Sequence, residues 1–257
     1  MNRDVVRQIV NVVMTLFVIG FNAWSQALPL NGQTSAMIAN SRPSYFFPAN
    51  YVFSIWGVIY IGLIAFAIYQ ALPAQRDNPR LRRIGYWFAF SSIANVTWLT
   101  MFHFNQYELS MIAMVALLAS LVVIYLRLRT PGAPVSTLET WAVRVPFSIY
   151  FGWITVATVA NASFVLYNPD QLLLGIADST WGAVMLVVSA VIAGYVSFRY
   201  RDIAYAAVII WAFVGIIARW PEVNLIAVTA GLMAAAVGVA ALISLRARPS
   251  AAPLRAA

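Results

Sequence analysis

The sequence predicts an all-α, polytopic membrane helical bundle with eight transmembrane helices. Three observations lead there. Hydrophobic residues make up 62% of the 257 and charged residues only 9%, with a mean hydropathy of +0.80. A water-soluble domain does not bury that much apolar surface. The apolar residues also fall into eight runs, at about 6–27, 50–72, 84–103, 109–127, 141–166, 180–198, 203–219 and 223–245. Each is close to the length that crosses a ~30 Å hydrocarbon core at about 1.5 Å per residue. Helices are the default, because a lone strand leaves its backbone unsatisfied in lipid. Finally, the basic residues are all arginine and alternate between loops. Arg3, Arg7, Arg76, Arg80, Arg82, Arg83, Arg127, Arg129, Arg144, Arg199, Arg201, Arg246, Arg248 and Arg255 fall on one side, and only Arg42 and Arg219 on the other. This positive-inside bias predicts an even helix count with both termini in the cytoplasm.

Along the chain, the first run follows the charged stretch MNRDVVR. Its end, SQA at 25–27, looks like a signal-peptidase site, but the run is long for a signal peptide and reads as a helix. Residues 28–49 form a long outer connection that turns from polar to aromatic before Pro48 opens the second helix. Residues 128–140, LRTPGAPVSTLET, read as an inner Pro/Gly linker, and the seventh run is the shortest. The eighth carries Ala230, Ala234 and Gly238 in a small-xxx-small row suited to close helix contact. The tail 247–257 reads as disordered.

Several chemistries are missing. Without cysteine or lysine there is no disulfide, thiolate or lysine Schiff base. Asp4, Asp77, Glu108, Glu139, Asp170, Asp178, Asp202 and Glu222 all fall at helix ends or in loops. Ion-coupled carriers place carboxylates within the membrane, so this placement argues against one. No helix reads as carrying a continuous polar stripe, which argues against a channel. The arginines belong to topology rather than to nucleic acid. His103 is the only histidine, so no metal centre is expected beyond a single axial bond to a haem or chlorophyll metal.

The sequence offers aromatic and amide groups instead. Trp24, Trp87, Trp141, Trp181 and Trp220 lie near run ends, where an interfacial belt accounts for them. Trp56, Trp98, Trp153 and Trp211 lie deeper. Asn95, Trp98 and Phe102 share one helix face, as do Trp153, Ala157 and Asn161, and as do Trp56 and Tyr60. The buried amides read either as helix–helix glue or as ligand contacts. If the three faces converge, they wall an apolar pocket for a large flat ligand.

Three strings carry a resemblance: RPSYFFPANYVFSIWGVIY at 42–60, ANVTWLTMF at 94–102 and IYFGWITVATVAN at 149–161. They resemble, in order and helix number, the motifs of the tryptophan-rich sensory protein family, also called TspO or translocator proteins. The family's fifth-helix proline aligns with Ile149, while this chain has Pro146 one turn earlier. The resemblance covers residues 1–168 and implies a five-helix core, with 169–246 as three additional transmembrane helices. It implies an outward-opening pocket for a porphyrin or other tetrapyrrole, with ligand contacts at Trp56, Tyr60, Asn95, Trp98, Phe102, Trp153, Ala157 and Asn161. The loop after the first helix, with Arg42, Tyr45 and Phe46, is implied to be its lid. The expected role is sensor or carrier in a bacterial cytoplasmic membrane. No cofactor is required, and the tetrapyrrole is the ligand. Light-driven porphyrin degradation through Trp56 and Trp153 is the enzymatic variant. The three extra helices suggest an alternative, an accessory subunit of a larger, pigment-bearing membrane complex. Expected partners are lipid, the tetrapyrrole, and a second copy or a larger assembly.

Overall fold

The computed structural model describes residues 2–41, 44–130, 134–166 and 176–246. Among these, each predicted run holds a long helix. They are α1 (Arg3–Ala27), α2 (Ile55–Ala71), α3 (Trp87–His103), α4 (Tyr107–Leu128), α5 (Val145–Val165), α6 (Asp178–Tyr200), α7 (Ile203–Arg219) and α8 (Asn224–Arg246). Six helical stretches are long and apolar enough to cross a membrane: Arg3–Ala27, Asn50–Ala71, Tyr107–Leu128, Thr137–Val165, Asp178–Tyr200 and Asn224–Arg246. α3 and α7 have 17 residues each, or about 26 Å of helix. The chain is an all-α polytopic membrane protein. The tail at 247–257 lies outside the described residues.

Local chemistry sets the helix ends. Asn2 caps α1 by accepting from the Asp4 N–H at 2.9 Å, and Asp202 caps α7 by accepting from the Tyr205 N–H at 3.0 Å. The fifth helical stretch starts earlier than predicted. Ser136 caps a helical turn at Thr137–Glu139, and a π turn at Thr140–Arg144 leads into α5. Pro146, which has no N–H, follows that turn, and the wider π spacing absorbs its missing donor. The outer connection is more ordered than a loop, with a helix at Ser35–Ser41 and a 3-10 turn at Asn50–Ser54.

The first five long helices close into a ring. α1 packs on α2 and α3, α3 on α4, α4 on α5, and α5 back on α2. α6, α7 and α8 pack on one another and dock mainly through α7 onto α5. Outward residues such as Leu16, Ile61, Ile112 and Leu242 are exposed and apolar, as a lipid-facing surface requires.

Two sequence expectations are corrected. α1 does carry a polar row: Arg7, Gln8, Asn11, Thr15, Asn22 and Ser25 are buried along it, broken only by Val18. The row faces inward and is stitched to its neighbours. Gln8 Nε2 donates to the Gln70 carbonyl at 2.7 Å, and Gln70 Nε2 donates to the Gln8 carbonyl at 3.0 Å. Second, not every acid is a solvated helix end. Glu139 and Asp202 are buried, each against an arginine. Glu139 accepts from Arg80 Nε and NH2 and from Asn78 Nδ2. Asp202 Oδ2 accepts from Arg129, from the Tyr125 hydroxyl at 2.9 Å and from Ser148 Oγ at 2.6 Å. That one carboxylate ties α4 and α5 of the ring to the start of α7. A charge so placed is retained only because its donors replace water.

Candidate functional site

The polar ends of the bundle differ in charge. Arg7, Arg82, Arg127 and Arg144 reach across loops at one end, bonding the Arg76 carbonyl, Asp4, the Arg83 carbonyl and the Leu128 carbonyl. At the other end, where α1, α3 and α5 finish and α2 begins, lies a cavity of about 280 Å3. Among the described residues, no charged side chain lines it.

Of the residues expected there, Trp56, Tyr60, Trp98, Phe102, Trp153, Ala157 and Asn161 line this cavity. Four of the rings form a ladder of near-parallel planes. Tyr60 and Trp56 stack at 5.7 Å and 27°, Trp56 and Trp98 at 6.5 Å and 22°, and Trp98 and Phe102 at 5.7 Å and 23°. The outer steps are i,i+4 pairs on one helix, and the middle step crosses from α2 to α3. Trp153, from α5, meets Trp56 edge-on at 6.3 Å and 83°. Each such pair contributes about 0.5–1.5 kcal/mol beyond its area burial. Ala157 and Ala160 leave room on the α5 side.

The polar groups of the wall differ: Asn22 and Ser35 are bonded within the protein, and others are under-used. The indole N–H groups of Trp98 and Trp153 are buried with no acceptor. A buried donor left unpaired costs about 1–3 kcal/mol. The Asn161 amide makes only long contacts, 3.4 Å to both Ser110 Oγ and Met111 Sδ.

Other expected residues stand elsewhere. Asn95 does not line the cavity. It is fully buried, accepts from Asn22 Nδ2 at 2.8 Å and donates to the Tyr150 hydroxyl at 3.1 Å, which makes it interhelical glue. His103 is also fully buried and off the lining; its Nε2 is 2.9 Å from Ser35 Oγ, and its carbonyl accepts from Asn31 and Gln33. It anchors the outer connection rather than facing the cavity. Among the described residues, no three His, Asp or Glu side chains cluster as metal ligands. Arg42, expected in the lid, lies outside the described residues. Tyr45 packs on Trp220 at 4.9 Å and Phe46 is fully buried; neither lines the cavity.

The parts of the outer connection that do line the cavity are Ser35, Ala36, Ala39, Phe47, Pro48 and Phe53, and α1 adds Asn22 and Gln26. Sequence reasoning passed over these. Asn22 and Gln26 sit i,i+4 on the polar face of α1, and Phe47-Pro48 stands at the mouth of the second helix, so both signals were available.

No curated protein and no solved structure matches the chain. A family model described as TSPO-like protein matches residues 8–243. The match passes beyond residue 168 and takes in α6, α7 and nearly all of α8. With nine-tenths of its length under that model and an aromatic cavity at the end where the motifs converge, the chain belongs to the TSPO-like protein family.

Proposed function

We propose that the chain binds a large, flat, mostly apolar ligand in this cavity, a tetrapyrrole such as a porphyrin. It would act as a sensor or carrier in a bacterial cytoplasmic membrane, with both termini in the cytoplasm and the cavity facing outward. The observation that carries the reading is the ring ladder Tyr60–Trp56–Trp98–Phe102 on one wall, with the edge of Trp153 set against it. Flat π faces gain most from such a wall, and the Trp98 and Trp153 N–H groups supply the polar handles. Ligand pockets span about 300–1,000 Å3, and this one, at about 280 Å3, lies just below that range. With no charged lining residue among those described, the carboxylates of a porphyrin belong at the mouth and the macrocycle within.

The test is titration of protoporphyrin IX into purified protein, followed by tryptophan quenching and by the shift of the porphyrin's main absorption band. Saturable binding is expected. The double variant Trp98→Phe/Trp153→Phe keeps a ring at each position and removes both donors. It is expected to bind about tenfold more weakly, the worth of one or two buried hydrogen bonds. Equal affinity in the variant would remove these residues from the site.

A further inference from the structure

The cavity wall formed by Phe47, Pro48 and Phe53 is held from outside the five-helix ring. Four backbone groups of this wall bond to α7 or to the residue just past it. The Trp220 indole N–H donates to the Phe47 carbonyl at 3.3 Å, Arg219 NH1 to the Pro48 carbonyl at 3.2 Å, and the Trp211 indole N–H to the Val52 carbonyl at 3.2 Å. In return the Ala49 N–H donates to the Gly215 carbonyl at 2.9 Å. Trp211, Gly215 and Arg219 recur every four residues, so one face of α7 makes these bonds, with Trp220 just past its end.

Packing follows the same pattern. Val52 sits so close to α7 that a Cβ added to Gly215 would lie 2.1 Å from Val52 Cγ2. Two edge-on ring pairs flank the contact, Tyr51 on Trp211 at 5.3 Å and Tyr45 on Trp220 at 4.9 Å. α6 closes the far side, where a Cβ on Gly182 would lie 2.7 Å from Tyr45 Cβ. Toward the ring, Phe47 and Phe53 meet Phe164 and Trp153 through ring faces and edges, and the turn at Asn50–Ser54 runs on into α2.

We infer that α7 belongs to the ligand site: Trp211, Gly215 and Trp220 are positioning residues that set where the 47–53 wall stands and so what size of ligand the cavity admits. The ligand half of this inference rests on the binding reading above; the wall-holding half does not. α6 and α8 brace α7 from behind. The three C-terminal helices therefore serve the cavity although none of the lining residues described comes from them.

The test uses the full chain in detergent or lipid nanodiscs, with two variants. Trp211→Phe/Trp220→Phe keeps both rings and removes both donors. Gly215→Ala adds one methyl against Val52. Backbone hydrogen exchange over 47–54 is read without ligand, and protoporphyrin IX affinity is read separately. Exchange over 47–54 is expected to rise about tenfold in the Phe double variant, as two lost hydrogen bonds imply. Amides of α2 and α5 and the unfolding temperature should stay unchanged, and porphyrin binding should weaken at least about fivefold. Unchanged exchange over 47–54 in the Phe variant overturns the inference. So does raised exchange with unchanged porphyrin affinity. A wild-type chain that binds no porphyrin sinks the ligand reading alone, and the exchange result then decides whether α7 holds the wall.

Discussion

At the arginine-rich end, each buried carboxylate is met by several donors: Glu139 by Arg80 and Asn78, Asp202 by Arg129, Tyr125, Ser148 and the Tyr205 N–H. At the cavity end, among the described residues, no charged side chain lines the wall, two indole N–H groups have no acceptor, and the stacked rings border a void. The same helices run through both ends. α5 gives Ser148 to the first and Trp153, Ala157 and Asn161 to the second. The contrast separates two uses of polar groups in a membrane bundle. Saturated ones lock helices together, since an unmet partner in low dielectric is costly. The under-satisfied ones at the cavity end stand in residues that border empty space.

The comparison breaks most sharply at Asp202. Asp202→Ala leaves Arg129, Tyr125 and Ser148 without their shared acceptor and uncaps α7. Breaking a buried ion pair by removing one partner costs about 3–5 kcal/mol. The expected result is a large drop in the unfolding temperature in mild detergent, with α6–α8 losing protection before the five-helix ring. A variant that melts like the wild type would mean that the carboxylate network does not join the two parts.

The reverse pattern is expected at Ala157. This residue borders the cavity, so Ala157→Phe puts a ring into existing space. Stability should change little, because a void is filled rather than a packed core strained. Porphyrin affinity should fall at least about tenfold, equivalent to about 1.4 kcal/mol. Loss of stability with intact affinity would invert the distinction between the two ends.

Much of this was legible in the residues, and the limits are physical. Apolar runs announce helices because lipid imposes length and composition: a long helix lies in each run, and six helical stretches are long and apolar enough to cross a membrane. Helical spacing put Trp56, Tyr60, Trp98, Phe102, Trp153, Ala157 and Asn161 on shared faces, and the fold turns those faces onto one cavity. Spacing along one helix does not say how deep a residue sits, and Asn95, one turn below Trp98, meets Asn22 and Tyr150 instead. Position near a helix end does not say whether a carboxylate meets water or another helix, so the burial of Glu139 and Asp202 was hidden. The role of Trp211 was hidden for the same reason: its acceptor, the Val52 carbonyl, is 159 residues away in the chain.

Asn95 supplies the finest cut between the two ends, because it lies on the boundary. Its side chain is fully buried and joins α1 to α5 through Asn22 and Tyr150, within one turn of the cavity wall. If it is glue, Asn95→Leu removes two interhelical hydrogen bonds whose average worth in lipid is about 0.6 kcal/mol each. Asn22 keeps one amide N–H on the Val18 carbonyl at 2.8 Å, while its second N–H and the Tyr150 hydroxyl lose the Asn95 partner. The expected loss of stability is about 1 kcal/mol, the smallest effect of the series, and porphyrin affinity should match the wild type within about twofold. Thermal unfolding and porphyrin titration of the same preparation check both numbers. A tenfold loss of affinity with that small loss of stability would move Asn95 from the saturated interior into the ligand site, and the dividing line between the two ends would have to be redrawn one helical turn deeper.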